Sequence, residues 1–165
     1  MSAVPFRCLD AEASRRVDDR GHLDVLFEEG EVVLKRSFSR AGVFRGMHWQ
    51  RPPRAQTKII RVVSGRILDF VMDPLQAEPR LHRREIGPDD GWVLIGAEWA
   101  HGFYALEDTV FEYLCLGAYD ESAEGCFSIA GLLRDALGLE PLLSPKDRAA
   151  APIRATLADA PAEGA

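Results

Sequence analysis

The sequence predicts an all-β protein, a sandwich or barrel of short strands that carries one short helix near its C-terminal end. Short apolar runs separated by turn residues recur between residue 31 and about residue 116, a spacing typical of antiparallel β-folds. No helical periodicity of apolar residues appears before about residue 120. With 165 residues, of which 47% are hydrophobic, the chain has the size and composition of one globular domain.

Apolar runs and alternation of apolar and polar residues place the individual strands. They are predicted at residues 31–38, 58–63, 66–72, 92–95 and 109–116. Ser64 and Gly65 separate the second strand from the third and predict a tight hairpin turn that pairs the two. In the third strand Phe70 and Met72 would share one face, and Asp69 would lie on the other.

The chain changes character near residue 128. Apolar residues at helical spacing, followed by Gly138, predict a short helix over 128–139 that packs on the β-core. From residue 149 onward alanine and proline are frequent and large apolar side chains are few, so 149–165 is predicted to be a mobile tail. The folded domain is accordingly predicted to span residues 1–148.

Charge and composition argue against several classes of protein. The net charge of -6 does not suit broad nucleic-acid binding, which needs a basic surface. No apolar run approaches the ~20 residues that span a bilayer, and no signal-peptide pattern begins the sequence. The cysteines, Cys8, Cys115 and Cys126, have no metal-binding spacing and are odd in number. A reduced, cytoplasmic setting is therefore expected.

Basic side chains and a histidine are concentrated between residues 42 and 65. Arg45, His48 and Lys58 fall there, and together they would suit a phosphorylated ligand that bears a carbonyl group. His48 could transfer a proton or be a structural histidine bonded to a backbone carbonyl. Lys58 could stabilise an enolate oxygen or lie at a strand edge with its ammonium group in solvent. Arg45, like Arg20 upstream, could bind a diphosphate or be a solvated surface arginine.

Further candidates follow in the second half of the chain. His101 precedes a predicted strand and could be a second site histidine, a metal ligand or a turn residue. Tyr113 is a hydroxyl-bearing residue on an apolar strand face, where it could act as a general acid or simply pack. Asp147 could orient an imidazole or be an exposed carboxylate, and no local pattern joins it to His48.

A metal site is not expected from the ligand types. Zinc or iron would require three or four convergent histidine, cysteine or carboxylate ligands. Gln50 stands two residues after His48, so the His-x-His pair of metal-binding barrels is absent. His22 and His82 have no obvious companions.

Several blocks of the sequence match one known family in order and spacing. The block GVFRGMHWQ at 42–50 resembles GVLRGLHYQ of the dTDP-4-dehydrorhamnose 3,5-epimerases, the RmlC-like branch of the cupin superfamily. The other matching blocks are DDRG at 18–21, PP at 52–53, QTK at 56–58, RVVSG at 61–65, AHGF at 100–103, FEY at 111–113, Tyr119 and LSPKD at 143–147. The resemblance covers roughly residues 5 to 148 and implies a cupin jelly-roll barrel, a double-stranded β-helix.

The resemblance also implies a role for each candidate. His48 would be the base and Asp147 its dyad partner, Lys58 would stabilise an enolate, and Tyr113 would return a proton to the opposite face of the sugar. The implied substrate is a nucleotide-diphosphate-linked 4-keto-6-deoxy sugar, inverted at C3 and/or C5 without a metal or organic cofactor. The residues implied to bind it are Arg20, Lys35, Arg45, Gln50, His101 and Tyr119. A homodimer that exchanges N-terminal strands is implied too.

Departures from the family pattern predict altered specificity. Val25, Val33 and Lys35 stand where the family has glutamate, glutamine and asparagine. Leu114 replaces a lysine, and the segment 128–139 takes the place of a W-x-D-P motif. Because lost polar contacts can discriminate strongly between ligands, a 4-keto sugar nucleotide other than the rhamnose precursor is predicted. A non-catalytic sugar-nucleotide-binding cupin, a metal-dependent cupin enzyme and a keto-sugar isomerase with the same enolate chemistry remain as alternatives.

Overall fold

A computed structural model describes residues 9, 10 and 12–158 of the chain. Its strands are β1 Arg16–Asp18, β2 Gly21–Glu29, β3 Val32–Ser39, β4 Phe44–Gln50, β5 Thr57–Ser64, β6 Ile67–Met72, β7 Arg80–Ile86, β8 Val93–Ile95, β9 Ala100–Ala105, β10 Thr109–Leu116, β11 Glu124–Ser128, β12 Ala151–Pro152 and β13 Thr156–Leu157. Two helices, α1 Ala130–Leu137 and α2 Pro145–Ala149, follow β11, and short 3-10 turns lie at Pro88–Asp90 and Glu121–Ala123. No helix among these residues is long and apolar enough to cross a membrane.

The strands form two sheets. The first has six strands in the order β1-β2-β3-β10-β5-β8, and the second has seven in the order β12-β11-β4-β9-β6-β7-β13. A buried cluster joins them, with Ile60 and Phe111 from the first sheet and Ile67 and Phe103 from the second. The all-β barrel predicted from the sequence, with the cupin-like jelly-roll that the resemblance implies, is confirmed.

A second apolar cluster covers the outer face of the seven-stranded sheet. Phe70 and Met72 of β6 point into it, and Ile129 and Leu133 from the α1 region pack on them. The predicted helix is confirmed, because α1 ends at Gly138, whose left-handed conformation (φ 65°) caps it with an N–H bond to Arg134 O. Both faces of β6 are thus buried against protein, one in this cluster and one inside the barrel.

The predicted hairpin at Ser64 and Gly65 is wrong. β5 belongs to the six-stranded sheet and β6 to the seven-stranded one, so the strands that this turn connects do not pair. Gly65 has a φ of 81°, and a Cβ there would collide with Asp108 O. A glycine in a tight turn marks a sharp change of direction, and sequence alone does not distinguish a hairpin from a crossing between sheets.

Part of the segment predicted as a tail is in contact with the barrel. β12 pairs in parallel with β11, and β13 pairs in parallel with β7. Ile153 and Leu157 pack against the outer apolar cluster. A few apolar residues are enough to hold this segment on the barrel, because its backbone also pairs with the strands β11 and β7. Residues 159–165 lie outside the described residues, and mobility stays a prediction.

Candidate active site

A cavity of about 800 Å³ opens between the two sheets. Every residue that the sequence suggested for catalysis or binding lies along it. They are Arg20, Lys35, Arg45, His48, Gln50, Lys58, His101, Tyr113, Tyr119 and Asp147. The fold therefore gathers side chains from opposite ends of the chain into one space of the size that small-ligand sites have.

A bulge in β4 turns Arg45 and His48 toward the same side. In a regular strand, residues three positions apart point to opposite faces. Arg45 is opposite Phe103 of β9 and His48 is opposite His101, so β4 carries one extra residue between them. Gly46 makes this possible, since its φ is 137° and a Cβ there would collide with Gly102 Cα. The glycine in the RGMH block is thus a structural requirement of the site.

His48 and Asp147 form a hydrogen-bonded dyad. His48 Nε2 lies 2.7 Å from Asp147 Oδ1, although the residues are far apart in sequence. The carboxylate is 1% exposed and also lies 3.3 Å from Arg20 Nη1. Ser144 caps α2 by accepting a hydrogen bond from Asp147 N at 2.9 Å. Burial opposes the charge, but the hydrogen bond with His48 and the nearby cations outweigh it and lower the pKa of Asp147.

Lys58 is a second basic residue beside this dyad, after Arg20. It projects from β5, and its Nζ donates a hydrogen bond to His48 O at 3.1 Å. Burial lowers the pKa of Lys58 from its usual value, because an apolar environment disfavours the ammonium form. An anionic oxygen that develops in the cavity would stabilise this charge and be stabilised by it.

Tyr113 faces the dyad from the other sheet. It lies on β10 of the six-stranded sheet, whereas His48 lies on β4 of the seven-stranded sheet, and both line the cavity. Burial raises the pKa of Tyr113 well above its usual value of 10.0, so the phenol keeps its proton at neutral pH. A ligand held between the sheets would therefore meet a potential base on one side and a potential acid on the other.

A second histidine–carboxylate pair lies inside the barrel. His101 Nε2 is 2.7 Å from Asp69 Oδ1, and both residues are buried. His101 lies within β9 and does not precede a strand as expected. Sequence analysis missed Asp69 as a partner, because alternation placed it opposite Phe70 without showing that this face points into the barrel. An acidic residue on an otherwise apolar strand was the available signal.

Charged groups of both signs surround the wider part of the cavity. Arg45 donates a hydrogen bond from Nε to Ser39 Oγ at 2.9 Å, and burial and the charge of Arg20 lower the pKa of Arg45. Tyr119 is 59% exposed, and its hydroxyl donates to Glu124 Oε2 at 3.0 Å. Lys146 Nζ donates to the same oxygen at 2.7 Å. Sequence analysis did not single out Glu124 or Lys146.

Gln50 performs a structural task in this structure. Its Nε2 donates to Arg54 O at 2.6 Å and Ala118 O at 3.1 Å, and its Oε1 accepts from Asp120 N at 2.7 Å. The carboxamide therefore joins two loops beside the cavity. A contact between Gln50 and a ligand stays a prediction.

One group of potential metal ligands adjoins the cavity. Donor atoms of His48, Cys126 and Asp147 lie within 4.8 Å of one another. Burial and the charge of Asp147 raise the pKa of Cys126 to about 11, so metal binding at this thiol would have to release its proton. His48 Nε2 is already hydrogen-bonded to Asp147. Cys8 lies outside the described residues.

Comparisons with known proteins point to one family. The family model described as dTDP-4-dehydrorhamnose 3,5-epimerase matches residues 12–155. A curated protein of that name from Streptomyces griseus is 33% identical over 158 residues, which covers 85% of this chain and 79% of the relative.

Solved structures with a similar fold include epimerases. A dTDP-4-dehydrorhamnose 3,5-epimerase from Sulfolobus tokodaii superposes with a TM-score of 0.64 at 32% identity, covering 84% of this chain and 85% of that one. A 3'-monoepimerase from Streptomyces bikiniensis, solved in complex with dTDP-quinovose, superposes with a TM-score of 0.59 at 26% identity. That match covers 72% of this chain and 64% of the other.

Proposed function

Because this chain belongs to the dTDP-4-dehydrorhamnose 3,5-epimerase family, we propose that it inverts C3 and/or C5 of a nucleotide-diphosphate-linked 4-keto-6-deoxy sugar through an enolate, without a metal or organic cofactor. One observation carries the proposal. His48 and Tyr113 face a single cavity from opposite sheets, so a proton can leave one face of a sugar and return to the other. Inversion at carbon requires the proton to return to the face opposite the one that it left.

The proposed reaction begins at the carbon next to the ketone. His48 removes its proton, and the electron pair of the broken C–H bond moves to form the enolate, whose oxygen Lys58 stabilises. Asp147 orients the imidazole and stabilises the imidazolium that forms, as in other histidine–carboxylate dyads. The proton of Tyr113 then forms the new C–H bond on the opposite face. Exchange with solvent water restores neutral His48 and the phenol.

The diphosphate would bind beside the dyad. Arg20 and Arg45 both line the cavity, and guanidinium groups bind phosphate oxygens through paired hydrogen bonds. Tyr119 and Lys146 also line the cavity, and both donate hydrogen bonds to Glu124. The apolar Val25 and Val33 also line it, which supports a ligand whose base or sugar differs from that of the rhamnose precursor.

Deuterium exchange tests the proposed reaction. In heavy water, the protein is expected to incorporate deuterium next to the ketone of a 4-keto-6-deoxy sugar nucleotide and to release the inverted sugar. A panel of thymidine, uridine, guanosine and cytidine diphosphate sugars, followed by NMR, identifies both the nucleotide and the number of carbons inverted. Activity should persist in the presence of a chelator.

Other results would favour the alternatives. Saturable binding by the folded protein without exchange of any substrate in the panel would contradict the enzyme proposal and leave a sugar-nucleotide-binding cupin. A product whose ketone has moved to another carbon would indicate a keto-sugar isomerase. Loss of activity with chelator, restored by one metal, would contradict cofactor independence.

We also propose that two chains associate through the outer face of the six-stranded sheet. Large apolar side chains are exposed there, with Val63 at 42%, Trp92 at 50% and Leu94 at 67%. Near them, Glu112 accepts hydrogen bonds from Arg61 and from Arg36, so its carboxylate is paired on this face. Such a face suits a second copy. The exchanged N-terminal strands stay a prediction, since β1 pairs with β2 of its own chain and residues 1–8 lie outside the described part.

Replacement of Leu94 by aspartate is expected to convert a dimer into a monomer, because a buried charge would face the partner. Sedimentation equilibrium of the two proteins measures the change in mass. Leu75→Asp provides a matched control, since Leu75 is 70% exposed in the turn between β6 and β7. A wild-type monomer at micromolar concentrations, or a Leu94→Asp protein that stays dimeric, would refute this interface.

The cytoplasmic setting expected from the cysteines stays a prediction.

A further inference from the structure

Lys35 lies beside Tyr113 in the middle of the cavity wall. The two residues are directly opposite each other on the adjacent strands β3 and β10. Lys35 Nζ is 5.7 Å from the centroid of the Tyr113 ring, within the range of a cation–π interaction. The family pattern has asparagine at position 35, so this contact belongs to the present chain.

No carboxylate competes for the Lys35 ammonium among the residues that the structure describes. Its neighbours on the same face are Val33 and Ser37 along β3 and Val25 across on β2. Glu28, opposite Val33, is an exposed carboxylate at the rim of the cavity and does not form an ion pair with Lys35. The charge of Lys35 is therefore directed at the aromatic ring and the cavity.

Other carboxylates along the cavity already have partners. Asp18 pairs with Arg20, Glu124 pairs with Lys146, and Asp147 pairs with His48. Each of these carboxylates is thereby already paired. An anion that appears transiently near Lys35 would be the first negative charge available to it.

Other titratable groups also approach Tyr113. Arg45 from β4 stabilises its ionised form, whereas burial and Cys115, two residues along β10, disfavour that form. Lys58 lies diagonally across on β5, opposite Cys115, and Lys35 contributes to lowering the pKa of Lys58. The ammonium of Lys35 and that of Lys58 thus lie close enough to interact, on the two strands that flank β10.

We propose that Lys35 is a positioning residue that stabilises Tyr113 after it has donated its proton. This inference rests on the proposed function. When the O–H bond of Tyr113 breaks and the new C–H bond forms, the phenolate spreads negative charge into the ring that Lys35 contacts. A neutral ring attracts a cation only through its quadrupole, whereas a phenolate attracts it as a full charge. Lys35 therefore favours the product of this proton transfer over the reactant, and water later returns the proton to the phenolate.

The experiment measures the ionisation of Tyr113 directly. 3,5-Difluorotyrosine, whose phenol is markedly more acidic than that of tyrosine, replaces the three tyrosines of the chain, and Tyr113→Phe assigns the signal in a 19F NMR titration. Lys35→Met is expected to lower the ionisation constant of residue 113 by about tenfold or more, as loss of a close charge at low effective dielectric predicts. Lys35→Arg should retain the wild-type value. Arg83→Met, which removes an exposed cation on β7 outside the cavity, should leave it unchanged.

A kinetic measurement in unlabelled protein separates this role from simple ligand binding. Lys35→Met should lower kcat for net inversion more than it raises KM, while deuterium exchange from the His48 side continues. An unchanged ionisation constant, or an effect confined to KM, would overturn the proposal. If the wild-type protein shows no exchange at all, the proposed function fails, and the titration still decides whether Lys35 acts on Tyr113.

Discussion

His48→Ala is expected to lower the rate of epimerisation by about 10²–10⁴-fold, the usual contribution of a positioned general base. The imidazole lies 2.7 Å from the Asp147 carboxylate, and its side chain, which is 36% exposed, lines the cavity. Asp147 is not expected to replace it, because its carboxylate is 1% exposed, and the Nζ of Lys58 is held in a hydrogen bond to His48 O. Deuterium exchange and net inversion should fall together, since both require the first proton transfer. Both rates are measured by NMR on the preferred substrate.

Two controls show whether the loss is chemical. His82→Ala removes an exposed histidine outside the cavity and should retain activity. Circular dichroism should show that His48→Ala is folded at the assay temperature, although its melting temperature is expected to fall, because the buried Asp147 carboxylate loses a hydrogen bond. A folded His48→Ala protein with wild-type exchange would exclude His48 as the base.

Tyr113→Phe is expected to abolish most net inversion, with a loss of about 10²-fold or more for removal of a positioned acid. Some deuterium exchange should survive, because His48 can still remove a proton and return a deuteron to the same face. The two proton transfers can be separated because His48 and Tyr113 project from different sheets. Parallel NMR measurements of exchange and inversion give the ratio that distinguishes an acid from a packing residue.

Tyr104→Phe is the matched control for this substitution. Tyr104 packs in the outer apolar cluster, and its hydroxyl lies 3.4 Å from Glu140 O, away from the cavity. Its loss should leave the ratio of exchange to inversion unchanged. Equal losses of exchange and inversion in Tyr113→Phe would instead indicate that Tyr113 orients the substrate or supports the first proton transfer.

The fold was largely predictable because strand periodicity is a local property. The strand at 109–116 and the helix before Gly138 agree with the structure, since each depends on a few neighbouring residues. The turn at Ser64 and Gly65 was not predictable, because the same residues permit a hairpin or a crossing between sheets. β7 was missed too, since only Leu81 and Ile86 are buried among its largely charged residues.

The candidate site, like the fold, was predictable from the sequence only in part. The GVFRGMHWQ block and the other motifs suggested His48, Lys58, Tyr113 and Asp147, and all four line one cavity. Their roles stay proposals until the variants are measured. Asp69 was missed because alternation assigns a residue to a face without telling whether that face meets solvent, another sheet or a helix.

The sequence by itself determined several of the strands, the candidates for proton transfer and the altered positions Val25, Val33 and Lys35. Tertiary structure alone decided that Arg45 and His48 share a face, through the bulge at Gly46, and that Lys35 lies against Tyr113. The physical reason is that strand register and sheet pairing join residues distant in the chain. A shift of one residue in either strand would turn these side chains away from each other.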